Sequence, residues 1–385
     1  FHVLLEEAHR RSLKVVLDGV FNHASRGFFQ FNTILEHGPH SPWLDWFTVE
    51  DWPLSPYDGD KPANYRAWVD NRALPKFNTD NPQVREFIMR VAEYWLNEGI
   101  DGWRLDVPFE IKTEGFWQEF RQRVKAINPE AYIVGEIWRD SRQWLQGDQF
   151  DAVMNYLFTE AAIAFTGGSR VLPDQVLGRS YDPDKPLDAR GYADRIDWLL
   201  ALYPWEIQLA QLNLLDSHDT ARMITVVSDD KASVRLATLL LMTYPGAPSI
   251  YYGDEIGLPG SNFDPDTRRG MPWDRPETWD HDLLAYHQRV IAMRHAHPAL
   301  RTGAYHRLYA DDAVYAFARA DDQEALLVAV NVSEQPRSVA IPAGEHFGEG
   351  VHLTTVYGDA AADVRDGLVQ IDVPARDGVV LQRAA

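Results

Sequence analysis

The sequence predicts an α/β fold of the β/α-barrel class, followed by an antiparallel β module. Short apolar runs typical of buried strands alternate with longer stretches of helical periodicity, which indicates parallel βαβ units. Four of these runs end in polar or acidic side chains, which are costly to bury unless something pairs with them. Strands that deliver such groups from their carboxyl ends are how a β/α barrel builds an active site.

The predicted elements follow one another in the order strand, helix, strand, helix. The four runs with polar ends are Val15–His23, Asp101–Asp106, Tyr132–Glu136 and Leu212–Asp219. Two further strands are predicted near 150–154 and 248–252, and helices near 82–98, 114–127, 191–203, 231–243 and 282–296. Pro82 lies near the start of the first of these helices and Gly99 ends it. The sequence therefore predicts six barrel strands in this chain.

Two segments depart from this alternation. Residues 24–78 form a long excursion rich in Pro, Asp and Trp, and loops this long in a compact domain are usually functional. After about residue 303, short alternating runs separated by turn residues predict an antiparallel β-sandwich. The predicted domains are therefore a barrel of residues 1–23 and 79–302, a small inserted domain of residues 24–78, and a β-sandwich of residues 303–385.

Composition narrows the classes of partner. The net charge of −20 over 385 residues argues against nucleic acids and anionic membrane surfaces. No run is long and apolar enough to span a bilayer. The chain has no cysteine and hence no disulfide framework, which fits a reducing cytosol without requiring one. We therefore expect a cytoplasmic protein.

The four runs resemble the four signature regions of the α-amylase family, glycoside hydrolase family 13. Leu74–Asn78 and Gly135–Trp138 resemble segments of its cyclomaltodextrinase, neopullulanase and maltogenic amylase branch. The resemblance implies a (β/α)8 barrel whose first two strands, together with an N-terminal β-domain, would precede Phe1. We therefore expect an N-terminally truncated fragment; the alternative is that other residues close the barrel.

The resemblance also implies the roles of the acidic residues. Breaking a glycosidic bond takes two carboxyl groups. By resemblance Asp106 is the nucleophile, Glu136 is the general acid/base, and Asp219 is a third carboxylate that binds sugar hydroxyls. Arg104 lies two residues before Asp106, on the same face of a strand, where it can hold that carboxylate ionised and oriented. Burial would favour a protonated Glu136 near neutral pH.

Further residues are candidates for sugar binding. His23 and His218 match histidines that hydrogen-bond the sugar preceding the cleaved bond. Asp264 and Arg268 match a branch motif that binds the next sugar outward, although a turn with a local ion pair would explain the same residues.

No cofactor is expected, and no metal at the position where many family members bind calcium. Asn22 matches a calcium ligand of those members, but Lys76 stands where they have an acid. A lysine cannot ligate a hard cation, and its ammonium would repel one. The ammonium group can instead occupy the place of the ion, while a calcium site elsewhere stays open.

The predicted function is that of a retaining α-glucan hydrolase cleaving α-1,4 bonds of cyclodextrins, pullulan or maltooligosaccharides. One alternative is an α-glucosidase or a transglycosylating or trehalose-forming member of the family. The other is a catalytically inactive glucan-binding relative or an inactive fragment. The full-length protein is a candidate homodimer. Val107–Glu110 departs from the small or polar residues usual in the branch, which leaves the preferred glucan open.

Overall fold

The structure is a computed structural model that describes residues 1–178, 180–183, 185–262 and 265–384. The chain divides into two compact units, residues 1–137 with 141–153, and residues 138–140 with 154–385. Within the described residues, no helix has both the length and the apolar character needed to cross a membrane.

The first unit contains a parallel sheet whose strands follow the chain order. Its strands are β1 (Val16–Gly19), β2 (Gly102–Leu105), β3 (Tyr132–Gly135) and β4 (Ala152–Val153). The backbones of β2 and β3 approach closely at Gly102, where a Cβ atom would lie 2.3 Å from the carbonyl oxygen of Tyr132. Only glycine fits there without a shift of the neighbouring strand. These strands confirm the first four predicted ones, with shorter bounds.

Helices of the first unit precede or connect these strands. They are α1 (His2–Arg10), α2 (Phe29–His37), α3 (Pro82–Asn97) and α4 (Phe116–Ile127). The side chain of Asn81 accepts a hydrogen bond from the backbone N–H of Gln83, and Pro82 takes the first turn of α3, as the sequence predicts. Gly99 follows α3 with a φ of +105°, a conformation that favours glycine.

The predicted inserted segment has few regular elements of its own and is organised by aromatic packing. Phe31 of α2 contacts the rings of Phe47 and Tyr65, each with ring centroids 5.0 Å away. Phe47 in turn stacks on Phe77 at 5.4 Å. Isolated backbone bridges join residues 49 to 65 and 67 to 75. Buried aromatic side chains therefore hold an excursion that has little secondary structure.

The second unit continues with helices and two short parallel strands. In order they are α5 (Tyr156–Thr166), α6 (Pro173–Val176), α7 (Ala189–Leu202), α8 (Trp205–Ala210), β5 (Leu212–Asn213), α9 (Met223–Val226), α10 (Lys231–Thr243), β6 (Ala247–Pro248), α11 (His281–Ala296) and α12 (Pro298–Thr302). β5 and β6 pair in parallel. β5 is shorter than the predicted run Leu212–Asp219, and β6 overlaps the strand predicted near 248–252 only at Pro248. The sequence reading missed α5, because nearly every residue of α5 is buried and the helix shows no polar face.

The C-terminal part of the second unit is an antiparallel β structure. Its elements are β7 (Ala304–Ala310), β8 (Val314–Ala320), β9 (Ala325–Asn331), β10 (Arg337–Pro342), α13 (Gly344–Phe347), β11 (His352–Tyr357), β12 (Ala362–Arg365), β13 (Leu368–Val373) and β14 (Asp377–Arg383). The strand order is β10-β13-β12-β11-β14-β9-β8-β7. Alternate residues of β8 and β9 face two different apolar cores, one shared with β10 and β13 and the other with α7 and α10. This arrangement confirms the predicted antiparallel sandwich and adds strands that were not recognised individually.

Candidate active site

The polar residues of the first unit lie where its parallel strands end. Asp18 of β1 is paired in register with Arg104 of β2. Asp106 follows directly after β2, and Glu136 follows directly after β3. Adjacent parallel strands end at the same edge of a sheet, so these side chains are brought to one place.

Arg104 connects all three carboxylates. Its Nη1 lies 2.8 Å from Oδ1 of Asp18 and 3.0 Å from Oδ1 of Asp106, and its Nη2 lies 3.0 Å from Oε2 of Glu136. Burial by itself lowers the pKa of Arg104, but the charges of Glu136, Asp18 and Asp106 outweigh it and raise the pKa above its usual value. A permanently charged guanidinium therefore orients both predicted catalytic carboxyl groups.

Glu136 receives a second contact from an unusual backbone segment. The N–H of Val107 donates a hydrogen bond of 3.1 Å to Oε2 of Glu136, whose residue is 4% exposed. Val107 has a φ of +35°, which is strained for a β-branched residue. The strain lies directly beside Asp106, and strained residues cluster at functional sites. This backbone conformation directs the N–H of Val107 toward the buried carboxyl group of Glu136.

His23 lies in the same unit, after β1. Its ring is parallel to that of Trp68 at 6.1 Å, and its Nδ1 lies 3.2 Å from the side-chain nitrogen of Asn22. Burial lowers the pKa of His23, and the charge of Asp106 only partly opposes this. The imidazole is therefore neutral near pH 7, a form that can both donate and accept hydrogen bonds.

Lys76 makes an ion pair with Glu110. Its Nζ lies 2.8 Å from Oε2 of Glu110, and both side chains are about three-quarters buried. Asn22, the residue that suggested calcium, is fully buried. Within the described parts of the chain, no group of three or more His, Cys, Asp and Glu side chains is arranged to hold a metal ion.

The second unit brings together the remaining predicted site residues that the structure describes. Arg268 donates from Nη2 to Oδ1 of Asp219 at 2.7 Å, and Nε2 of His218 lies 3.1 Å from Oδ2 of the same carboxylate. Arg268 lies 49 positions from Asp219 in the sequence, so this is a tertiary contact. Asp264, the predicted partner of Arg268 in sugar binding, lies outside the described residues. The meeting of Asp219 with Asp106 and Glu136 stays a prediction.

A serine and a tyrosine that sequence reasoning missed support Asp219. The backbone N–H of Asp219 donates to Oγ of Ser217 at 3.1 Å, and the hydroxyl of Tyr156 donates to the same Oγ at 2.9 Å. Tyr156 is 1% exposed, and its ring stacks on that of Trp138 with centroids 3.6 Å apart. The one sequence feature that could have indicated Tyr156 as a site residue is its position two residues after the strand predicted near 150–154.

A buried acid pair beside Arg222 was also missed. Burial raises the pKa of Asp216 and of Asp254, and the charge of Asp216 raises that of Asp254 further. Oδ2 of Asp216 accepts a hydrogen bond of 2.5 Å from the backbone N–H of Met223, and Arg222 contacts Oδ1 of Asp254 at 3.1 Å. Asp216 ends a recognised apolar run, but nothing in the sequence indicated Asp254 as its neighbour.

Comparison with known proteins identifies the family. A family model for the α-amylase catalytic domain matches residues 1–281, and one for a neopullulanase-like C-terminal domain matches residues 305–376. A cyclomaltodextrinase from Bacillus sp is 42% identical over 348 residues, covering 90% of this chain and 59% of the relative. Neopullulanase 2 from Thermoactinomyces vulgaris is 41% identical over 356 residues, covering 91% of this chain and 56% of the relative. The chain thus spans less than two thirds of these relatives.

A solved structure supports the same assignment. The native form of a debranching enzyme from Nostoc punctiforme is 57% identical to this chain and superposes with a TM-score of 0.94, covering 99% of this chain and 78% of that one. The predicted β/α-barrel fold class is confirmed by this likeness. On these matches, and in agreement with the resemblance of its strand-end motifs, the chain belongs to the α-amylase family.

Proposed function

We propose that this chain carries the catalytic residues of a retaining α-glucan hydrolase. The observation that carries the proposal is the contact of one guanidinium, that of Arg104, with both Asp106 and Glu136. Retaining glycosidases need two carboxyl groups about 5 Å apart, one as nucleophile and one as acid/base. The shared contact with Arg104 supports the pairing of these two carboxyl groups.

The chemistry proceeds in two steps. The carboxylic acid of Glu136 protonates the glycosidic oxygen while a carboxylate oxygen of Asp106 attacks the anomeric carbon, so the leaving sugar departs with the proton. The covalent glycosyl ester on Asp106 is then attacked by water, which gives a proton to the carboxylate of Glu136. The ester bond breaks, Asp106 is regenerated, and the product keeps the α configuration. No metal or cofactor takes part in these steps.

The remaining residues bind sugar in this proposal. Asp219 hydrogen-bonds sugar hydroxyls, and its contacts with Arg268 and His218 hold the carboxylate in one orientation. His23 and His218 donate to the sugar that precedes the cleaved bond. Asp264 and Arg268 contact the next sugar outward. The buried, neutral ring of His23 is suited to a hydroxyl group, because it offers a donor and an acceptor without a charge.

The substrates we propose are α-1,4-linked glucans, namely cyclodextrins, pullulan and short maltooligosaccharides. Relatives named cyclomaltodextrinase and neopullulanase support this choice, as does the chain's likeness to them over 90% and 91% of its length. The net charge of −20 is compatible with an uncharged polysaccharide partner.

A second candidate is cleavage at the branch points of an α-glucan. The 57% identical structure is that of a debranching enzyme, whereas the cyclomaltodextrinase relative is 42% identical. Val107–Glu110 also departs from the residues usual in the cyclomaltodextrinase branch. Phe109 within this segment contacts the edge of Trp68 at 6.5 Å, so its bulky ring takes the place of a small or polar side chain.

The products from pullulan separate the two candidates, because this glucan contains both bond types. Cleavage of its α-1,4 bonds releases trisaccharides that keep an α-1,6 bond, whereas cleavage of its α-1,6 bonds releases maltotriose. We expect trisaccharides with an α-1,6 bond from pullulan, and linear maltooligosaccharides from cyclodextrin. Sucrose and starch test for the α-glucosidase and transglycosylating alternatives.

Two substitutions test the catalytic assignment. We expect Asp106→Asn and Glu136→Gln each to lower turnover by several orders of magnitude, without a change in cooperative unfolding, because each removes an essential carboxyl group. Asp151→Asn, at a carboxyl group of the same unit that pairs with Arg121 and Lys125, is the control. Near-native activity in either catalytic variant defeats the assignment. Binding of maltooligosaccharide without release of reducing ends by the unsubstituted chain indicates an inactive glucan-binding protein.

A further inference from the structure

Arg222 is completely buried and is not part of the proposed catalytic set. Its side chain has 0% exposure, yet it carries a charge that is expensive to remove from water. Nη1 donates to the carbonyl oxygen of Tyr252 at 2.7 Å and to Oδ1 of Asp254 at 3.1 Å. The guanidinium also lies over the rings of Tyr251 and Tyr252, at 4.3 and 4.9 Å from their centroids.

Two glycines, Gly253 and Gly260, lie against the side chain of Arg222. A Cβ atom at Gly260 would lie 3.1 Å from Cδ of Arg222 and 3.1 Å from the carbonyl oxygen of Asp266. Gly260 also accepts a hydrogen bond of 2.9 Å from the backbone N–H of Arg222. At Gly253, with a φ of +94°, a Cβ atom would lie 3.4 Å from Nη1. The chain therefore packs against Arg222 on two sides without intervening side chains.

Thr267 connects this buried group with Asp219. The carbonyl oxygen of Thr267 accepts hydrogen bonds from the hydroxyl of Tyr251 at 3.0 Å and from Nη2 of Arg222 at 3.4 Å. Its hydroxyl donates to the carbonyl oxygen of His218 at 2.9 Å. Thr267 is 2% exposed, and the next residue is Arg268, which donates to Asp219.

We propose that Arg222 is a positioning residue that holds the 265–268 segment through Tyr251 and the carbonyl of Thr267, and thereby sets the contact between Arg268 and Asp219. The proposal rests on the proposed role of Asp219 in sugar binding. Asp266 fixes the other side of the segment, because its carboxylate accepts from the backbone N–H of Ser261 at 2.8 Å and from its hydroxyl at 2.7 Å. Arg268 is itself 47% exposed at its side chain, so its orientation depends on the segment that bears it.

A purely structural role for Arg222 would have a different signature, and the chain offers a matched control. Arg319 is also fully buried and donates to backbone carbonyl oxygens, among them those of Thr243 at 2.6 Å and Gly303 at 2.8 Å. It contacts no residue of the 265–268 segment in these hydrogen bonds. Arg319→Lys therefore reproduces the loss of a buried guanidinium without changing the contacts between Arg222, Tyr251 and Thr267.

The test combines structures and kinetics of Arg222→Lys, Tyr251→Phe, Arg268→Ala, the double variant Arg222→Lys/Arg268→Ala, and Arg319→Lys. In crystal structures we expect the Arg268–Asp219 contact, 2.7 Å here, to be lost in Arg222→Lys and kept in Arg319→Lys.

On maltooligosaccharides we expect Arg222→Lys to lower kcat/KM by about tenfold, and Arg268→Ala by about as much. The double variant should be no worse than Arg268→Ala, because both changes act through one contact. Arg319→Lys should lower Tm but leave kcat/KM within about twofold.

Several outcomes overturn the proposal. A retained Arg268–Asp219 contact in Arg222→Lys does so, and so do multiplied kinetic losses in the double variant. If Arg222→Lys does not fold, Tyr251→Phe removes only one hydroxyl and is expected to lower kcat/KM by about two- to tenfold, with the same lack of additivity beside Arg268→Ala. An inactive parent chain would instead count against the proposed function, and the crystallographic contact would still decide the role of Arg222.

Discussion

The two units hold their proposed site carboxylates by different means. In the first, one guanidinium on a strand contacts Asp18, Asp106 and Glu136, which lie on or just after three adjacent strands. In the second, Asp219 is contacted by Arg268, which comes from an irregular segment 49 residues further along the chain. The first arrangement needs only the register of parallel strands. The second depends on how a long connection folds.

This difference has an energetic side. Arg104 is the shared cationic partner of Asp18, Asp106 and the carboxyl group of Glu136, so the geometry of the first site and its stability depend on the same group. Asp219 is about 29% exposed at its side chain, and its contact with Arg268 is partly screened by water. Loss of Arg268 is therefore expected to disturb sugar binding more than folding, whereas loss of Arg104 disturbs both.

The largest expected effect comes from Arg104→Met. This change removes the cation shared by Asp18, Asp106 and the carboxyl group of Glu136, which is 4% exposed. We expect the free energy of unfolding to fall by about 3–5 kcal/mol and hydrolysis to be lost. Urea denaturation and turnover on cyclodextrin measure the two effects. Arg104→Lys keeps the charge but not the forked geometry, and should recover part of the stability but little turnover.

The control for this prediction is Asp18→Asn. Asp18 has the most exposed of the three carboxyl side chains, at 51%, so its contact with Arg104 is the most screened. Its replacement should change the free energy of unfolding by less than about 1 kcal/mol. Equal destabilisation by Asp18→Asn and Arg104→Met would contradict the central role given to Arg104.

A smaller effect is expected at the second site from Tyr156→Phe. The change removes the hydroxyl that donates to Ser217, and Ser217 in turn accepts from the backbone of Asp219. We expect a loss of about 1 kcal/mol in stability and a two- to tenfold fall in kcat/KM. Tyr309→Phe, which removes a hydroxyl bonded to Asp311 in the C-terminal sandwich, is the matched control and should leave kcat/KM unchanged. Identical kinetics in both variants would remove Tyr156 from the support of Asp219.

A weaker, pH-dependent effect is expected at His23. Burial lowers the pKa of His23 in the folded chain, whereas an unfolded histidine titrates near 6.5. The unfolded state therefore binds more protons between these two pKa values, so the contribution of neutral His23 is present above pH 6.5 and is lost as the pH falls through the folded pKa. Relative to His23→Gln, the parent chain should lose at most about 1.4 kcal/mol per pH unit in that window.

Urea denaturation at several pH values between 5 and 8 measures this difference. His295→Gln, at an exposed histidine, is the control for the loss of a histidine side chain as such. If the parent chain instead gains stability relative to His23→Gln as the pH falls, the sign is opposite to the expected one. Protonation of His23 would then stabilise the fold.

The contrast between the units also explains what the sequence could predict. A spacing of two residues places Arg104 and Asp106 on one face of a strand, and consecutive parallel strands bring Glu136 to the same edge. The local sequence pattern is therefore sufficient to predict that these three residues lie close together. The helices α3, α10 and α11 were recognised because each has a polar side or a clear start. The sequence did not indicate that Arg222 and Asp254 lie near Asp216. Their proximity depends on the path of loops, which have no periodicity.

The smallest expected effect is that of calcium on Tm. It tests whether the ammonium group of Lys76 occupies the place of a metal ion. Lys76 and Glu110 are both about three-quarters buried, so Lys76→Met should cost about 1 kcal/mol of stability. Addition of calcium, or of EDTA, should leave the Tm of the parent chain unchanged. Lys76→Asp instead places two oxygen ligands near Asn22 and Glu110, and should make Tm rise with calcium concentration, because a cation bound only to the folded state stabilises it. A calcium-dependent Tm in the parent chain and not in Lys76→Asp would show that the ammonium group of Lys76 does not stand in for the ion.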